Sequence, residues 1–165
     1  MTDNIIKLKE DRTLRLKVYT SDGKDTGEEL VFDLEDIELP LKYQQMMEED
    51  KKNKQNVRNQ ILIIDRRQDV KGKKMMSKNE EDKIKLINEF FKKEIEVYNM
   101  FLGENGVQKL LYGRKVGWTT LAEIDEIIEE QIYPKIKVNW KSITERVKEM
   151  YAQSKDKKEE VEVLE

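Results

Sequence analysis

The stretch that most limits the fold is Ser77 to Arg114, SKNEEDKIKLINEFFKKEIEVYNMFLGENGVQKLLYGR. Ile84, Ile87, Phe91, Ile95, Tyr98 and Phe101/Leu102 recur every three or four residues, the spacing that lines one face of a helix. Ser77, with Glu80 three residues on, forms a capping box. The hydroxyl accepts from an orphan N–H of the first turn, and the carboxylate accepts from the cap's own N–H. Gly103 stands where the chain leaves the helix in a left-handed conformation, which costs least without a Cβ. A short segment, Val107 to Tyr112, follows, with Gly113 to end it. The stripe demands an apolar partner surface and carries no reactive group.

Upstream, Leu14, Leu16 and Val18 alternate with Thr13, Arg15, Lys17 and Tyr19, and Leu30, Phe32 and Leu34 alternate with Val31 and Asp33. Period two marks strands with one buried face. Between them SDGKDTG supplies turn chemistry: Asp22-Gly23 tolerates positive φ and Gly27 permits a bulge. The pattern predicts a β-hairpin over residues 12–34. A lone hairpin is marginal in water, so its apolar face needs cover. Either it lids the helices, or it self-associates through Leu14, Leu16, Val18, Leu30 and Phe32, with its free edges open to strand addition.

Leu39-Pro40 marks a boundary, and a long helix is expected from Leu41 to near Arg67. Tyr43, Met46/Met47, Val57, Ile61 and Ile64 fit its apolar face, while the polar middle, Glu48 to Asn56, projects into solvent or packs only at its ends. Gly72 breaks the helix in the basic connection DVKGKKMM. Further on, Thr120 with Glu123 and Ser142 with Glu145 read as two more capping boxes. The first opens a helix carrying Leu121, Ile124, Ile127/Ile128 and Ile132 and ended by Pro134. An extended crossing, KIKVNW, leads to the second, whose helix carries Ile143, Val147, Met150 and Tyr151. The expected architecture is α+β, mainly α: an N-terminal β-hairpin followed by about four main helices, two of them long and antiparallel. Residues 1–38 form an arm and the hairpin, 39–153 a helical domain, and 154–165 a charged, disordered tail. Ile5, Ile6 and Leu8 in the arm offer at most a short edge strand.

Chemistry is narrowly bounded. The 165 residues contain no Cys and no His. That removes disulfides, thiolate sites, and the commonest general base and transition-metal ligand. Glu123, Glu126 and Glu130 share a helix flank that a divalent ion would suit, but solvated carboxylates are the simpler reading. No Gly-rich phosphate loop is present, since Gly103 and Gly106 follow a helix and precede no Lys-Ser/Thr. With 32 basic against 35 acidic residues the net charge is −3, which argues against a dedicated nucleic-acid binder. No apolar run approaches the ~20 residues of a membrane helix, and the N-terminus lacks the apolar core of a signal peptide. A soluble, cytoplasmic, non-enzymatic protein without cofactor or metal is expected. Charged residues at 41% against 37% hydrophobic describe a lean core under a heavily solvated surface.

Three stretches together carry a family resemblance: the hairpin running into FDLEDIELPLKY, then IDRRQDVKGKKMMSKNEEDKIKLINEFFKK, then MFLGENGVQKLLYGR. They resemble the tail assembly chaperones of long-tailed phages and prophages of Gram-positive bacteria. In that family a helix commonly ends in Phe-(Leu/Phe)-Gly-(Glu/Asp) before a short segment closing on an aromatic-Gly pair. Phe101, Leu102, Gly103, Glu104, Leu110, Leu111, Tyr112 and Gly113 match that pattern. The resemblance implies a protein of the bacterial host cytoplasm that binds the tape-measure protein, keeps its hydrophobic helices soluble and helps recruit tail-tube subunits. The residues themselves, read beside that picture, suggest Phe101, Leu102, Leu110, Leu111 and Tyr112 as client-facing and the hairpin as an edge for homo-oligomer formation. The competing reading is a nucleic-acid-binding phage or bacterial regulator using Lys71, Lys73 and Lys74 of the basic loop with Arg114 and Lys115.

Overall fold

In a computed structural model, residues 4–8 and 12–164 are described, with side chains as far as Gln153. The fold is α+β and mainly α. Strands β1 (Thr13–Tyr19) and β2 (Asp25–Asp33) precede helices α1 (Leu39–Arg66), α2 (Lys78–Leu102), α3 (Gly106–Leu111) and α4 (Trp118–Ile127). A π turn, Ile128–Ile132, then leads into α5 (Tyr133–Leu164). Two compact units divide the chain, Met1–Ile124 and Asp125–Glu165. The division falls inside α4, where no Gly, Pro or charge run marks it. Residues 4–8 form no strand.

The strands pair antiparallel, with Leu14 opposite Phe32 and Leu16 opposite Leu30. The register puts the alternating apolar set on one face. A bulge interrupts it between Lys17 and Tyr19, next to Gly27 at φ +77°. The Asp25 carboxylate accepts the Gly27 N–H at 2.9 Å and holds that turn. Val18, Leu30 and Phe32 are buried, and Phe32 lies 5.5 Å from the Phe101 ring of α2. Lys109 of α3 donates to the Glu29 carbonyl of β2. The hairpin is thus a lid on the helices, as one of the two readings held.

Helices α1 and α2 run antiparallel: Tyr43 meets Phe101, Asn53 meets Glu94, and Arg67 meets Asn79. Ser77 and Glu80 form the capping box that opens α2. The turn between the helices is closed by side chains that periodicity does not reveal. Asn79 donates to the carbonyls of Ile64 and Arg67 and accepts from the Arg67 guanidinium. That satisfies carbonyls left over at the end of α1. Hydrogen bonds from the Ser77 hydroxyl and the Asn79 N–H hold Asp69 below the usual carboxylate range.

The seam is polar at its middle. The expected solvent projection of Glu48 to Asn56 does not occur at Asn53, which is buried and donates 2.7 Å to the fully buried Glu94 Oε1. Glu94 Oε2 and Asp50 Oδ1 are both buried, and neither has a hydrogen-bond partner. Two such oxygens repel when both groups are ionised. A proton on Glu94 turns one of them into a donor toward the other. Burial first, then the bond to Asp50, raise Glu94 to about 8. Lys54 holds the second Asp50 oxygen at 2.9 Å.

The C-terminal third departs from expectation. Thr120 is not a helix cap: its hydroxyl lies inside the first turn of α4 and accepts the Gly117 N–H at 2.7 Å. Pro134 does not end a helix. The Tyr133 N–H reaches back five residues to Ile128, and this wider turn accommodates a proline ring that would meet the carbonyl four residues back in a regular helix. KIKVNW is helical, and so is Ser142, which caps nothing. The stretch from 154, expected to be disordered, continues α5 to Leu164. Lys and Glu are good helix formers, and a shortage of apolar residues limits packing, not helix geometry.

Glu94 binds a proton in the native state that an unfolded glutamate has released above about pH 4.5. Its contribution to stability is therefore complete below that value and is lost as pH rises toward 8. Wild-type stability in denaturant should fall across this window by up to about 1.4 kcal/mol per pH unit. Glu94→Gln keeps the shape and supplies a permanent donor to Asp50, so its stability should change much less between pH 5 and about 8. Parallel slopes for the two proteins in urea melts would show that Glu94 is not protonated.

Candidate partner-binding surface

Helix α2 carries apolar residues on two adjacent faces. Phe90, Val97 and Phe101, with Glu94 between them, are buried in the seam with α1 and under the hairpin. Ile84, Ile87, Phe91 and Ile95 form a second stripe, roughly 90° around the axis at 100° per residue. Ile84 and Ile87 are 51% and 36% exposed. Phe91 and Ile95 are half-buried. The sequence stripe merged these faces: it took its lower half from the exposed stripe and Phe101 from the buried one.

The exposed stripe runs into a groove built by the turn after α2. Gly103 takes φ +93° with an extended ψ, not the expected left-handed helical pair, and its N–H bonds the Asn99 carbonyl at 3.0 Å. The left-handed helical conformations fall instead on Asn105 and Tyr112. Asn99 then turns α3 into place. Its Oδ1 accepts the Val107 N–H at 2.8 Å, and its Nδ2 donates to Gln108 at 3.0 Å. Gly106 lets the helices touch, because a Cβ there would lie 2.5 Å from the Leu102 Cβ. Against this corner Phe91, Ile95, Leu111 and Val116 line a groove of about 480 Å³. Lys92, Arg114 and Lys115 stand at its rim, with Asn88 and Gln108. A second groove of about 470 Å³ lies along the α1–α2 seam by Asn53, Val57 and Phe90.

The anticipated client residues are mostly not surface. Phe101, Leu102 and Leu111 are buried, Leu110 is half-buried, and Tyr112 alone is well exposed at 55%. The end of an amphipathic helix adjoining a tight corner is where two helices and the hairpin converge, so its aromatic residues become core. Of the anticipated self-association set, Val18, Leu30 and Phe32 are buried and Leu14 and Leu16 half-buried. They face the helices, leaving Tyr19 and Val31 on the outer face. The residues that sequence reading did assign to a stripe but not to a surface are Ile84, Ile87, Phe91 and Ile95. Only their excess over what one partner helix can cover hints at exposure.

The basic groups of the nucleic-acid reading do not converge. Lys74 pairs with Glu81, whereas Arg114 and Lys115 stand beside Lys92, about 16 Å further along α2. In the second unit Val147, Met150 and Tyr151 of the expected last stripe are exposed, while Ile128, Ile132 and Ile136 are buried. Among the described residues no group of three or more acidic side chains is placed to hold a metal ion, and no helix is long and apolar enough to cross a membrane. No protein-family model matches the chain, nor does any curated protein or solved structure.

The Gly106 contact is testable. Gly106→Ala should lower stability by about 1–3 kcal/mol, because the Cβ on Leu102 cannot swing aside. Gly72→Ala meets nothing within 4 Å and should change stability by less than about 0.5 kcal/mol. Urea midpoints of the two variants check the pair.

Proposed function

We propose that this protein is a non-catalytic assembly chaperone of the phage-tail type, which holds hydrophobic helices of a tape-measure protein until tail-tube subunits are recruited. One observation carries the reading: helix α2 keeps a second apolar face, Ile84, Ile87, Phe91 and Ile95, open beside a preformed groove. A helix that already buries one face against α1 and the hairpin has a fixed backbone. It therefore offers the second face without a folding cost at the moment of binding. An amphipathic client helix laid along it would bury its own apolar residues at matching spacing. The FLGENGVQKLLYGR resemblance supports the same reading, because the buried Phe101, Leu102 and Leu111 of that motif build the corner that shapes the groove.

The test is capture of a helical tape-measure fragment by wild type and by Ile87→Asp. Ile87 is 36% exposed, so a melting curve accompanies the capture: the variant should melt somewhat lower yet stay folded, while capture falls at least tenfold, the effect of burying an unpaired charge. Val31→Asp, on the outer face of the hairpin, is the control and should capture normally. Equal capture by Ile87→Asp and wild type would remove the surface from the proposal.

A further inference from the structure

We propose that the groove at the α2–α3 corner selects a partner helix whose apolar side chains are flanked by carboxylates. The inference rests on reading that surface as a docking site and adds the sign of charge to it. The groove has an apolar floor, Phe91, Ile95, Leu111 and Val116, and a rim with three cations and no acidic side chain. Even with the flanking Glu89 and Glu123 counted, the cations keep an excess of one, in a chain of net charge −3. Two of the cations have carboxylate neighbours, Lys92 with Glu89 at 3.3 Å and Arg114 with Glu123 at 4.0 Å. All four of these groups are more than half exposed, so the pairs are screened and readily exchanged for a partner's carboxylate. Lys115 has no carboxylate within ion-pair range among the described residues.

The chemistry of the fit follows. A leucine or isoleucine entering the groove would be surrounded by Phe91, Ile95, Leu111 and Val116. Residues three or four positions away on the same partner helix fall over the rim. Carboxylates there meet Lys92, Arg114 and Lys115, whereas lysines there meet like charge as the site loses water. The rim cations would attract phosphate too, but a phosphate backbone leaves the apolar floor unfilled, so an acidic amphipathic helix fits this groove better than a nucleic acid.

The experiment uses two fluorescein-labelled synthetic helices of about 18 residues, one of Leu and Glu and one of Leu and Lys at the same positions. They are titrated into the full chain by anisotropy at low and at physiological salt. The Leu/Glu helix should bind roughly tenfold tighter than the Leu/Lys helix, with the difference shrinking in salt. The Arg114→Glu/Lys115→Glu double variant changes two exposed residues and should melt like wild type. It should invert the preference. Equal binding of both peptides, abolished by Ile87→Asp, would overturn the charge preference and leave the apolar docking surface standing. Binding of neither peptide would overturn both. A preference that survives the double variant would overturn the assignment to this groove, and displacement of the peptide by a DNA duplex at physiological salt would overturn the choice of an acidic helix over a nucleic acid.

Discussion

The buried hydrogen bond from Asn53 of α1 to Glu94 of α2, with Asp50 close by, is the constraint on which the helical pair depends. The α1–α2 seam has few large apolar residues at its centre, where Met46 and Ile64 are far apart on α1 and Asn53 lies between them. A lean seam of this kind could slide by a turn at little cost to its apolar contacts. The polar residues prevent that. Any other register strands the Glu94 carboxyl, fully buried and bonded to Asn53 at 2.7 Å, without partners in a low-dielectric site. Polar groups inside an interface add little net stability yet strongly disfavour wrong pairings, the role best attested for single buried polar residues in coiled coils.

Fixing the register has structural consequences at both ends of the pair. At one end it places Asn79 under the last carbonyls of α1, so that the turn closes on side-chain hydrogen bonds. At the other it places Phe101 between Tyr43 of α1 and Phe32 of the hairpin. The hairpin needs that apolar surface to exist at all. The same aromatic end of α2 carries the Gly103 and Asn99 turn that aims α3, and so the groove is a product of the seam two helical turns away.

How much of this was legible in the sequence divides along physical lines. Signals local to a few residues were: the Ser77/Glu80 box, the alternation of Leu14, Leu16 and Val18, the turn at Asp22-Gly23, and the break at Gly103; the first long helix ends at Arg66, six residues before the Gly72 expected to break it. Signals that depend on what lies across a gap were not. Periodicity could place Ile84, Ile87, Phe91 and Ile95 on one face but not say which of two apolar faces α1 would take. The polar run around Asn53 looked solvated because its partner, Glu94, lies 41 residues away. Pro134 looked like a helix end because a π turn has no sequence signature of its own. Thr120 and Ser142 matched a three-residue spacing that also occurs within helices, so the spacing alone could not locate a cap.

The division of labour between the two faces of α2 bears on how such a protein could release and retain different helices. A client composed of apolar residues carries no counterpart of Asp50, Asn53 and Lys54. Were it to displace α1, Glu94 would lose its hydrogen bonds and remain buried, a cost of roughly 1–3 kcal/mol or more. The stripe at Ile84, Ile87, Phe91 and Ile95 holds no such demand. On the proposed reading, an incoming helix would therefore be directed to the second face by what the first face requires. It could leave again without disturbing the pair of helices that holds the fold, because the polar match and the open stripe lie on different sides of the same helix.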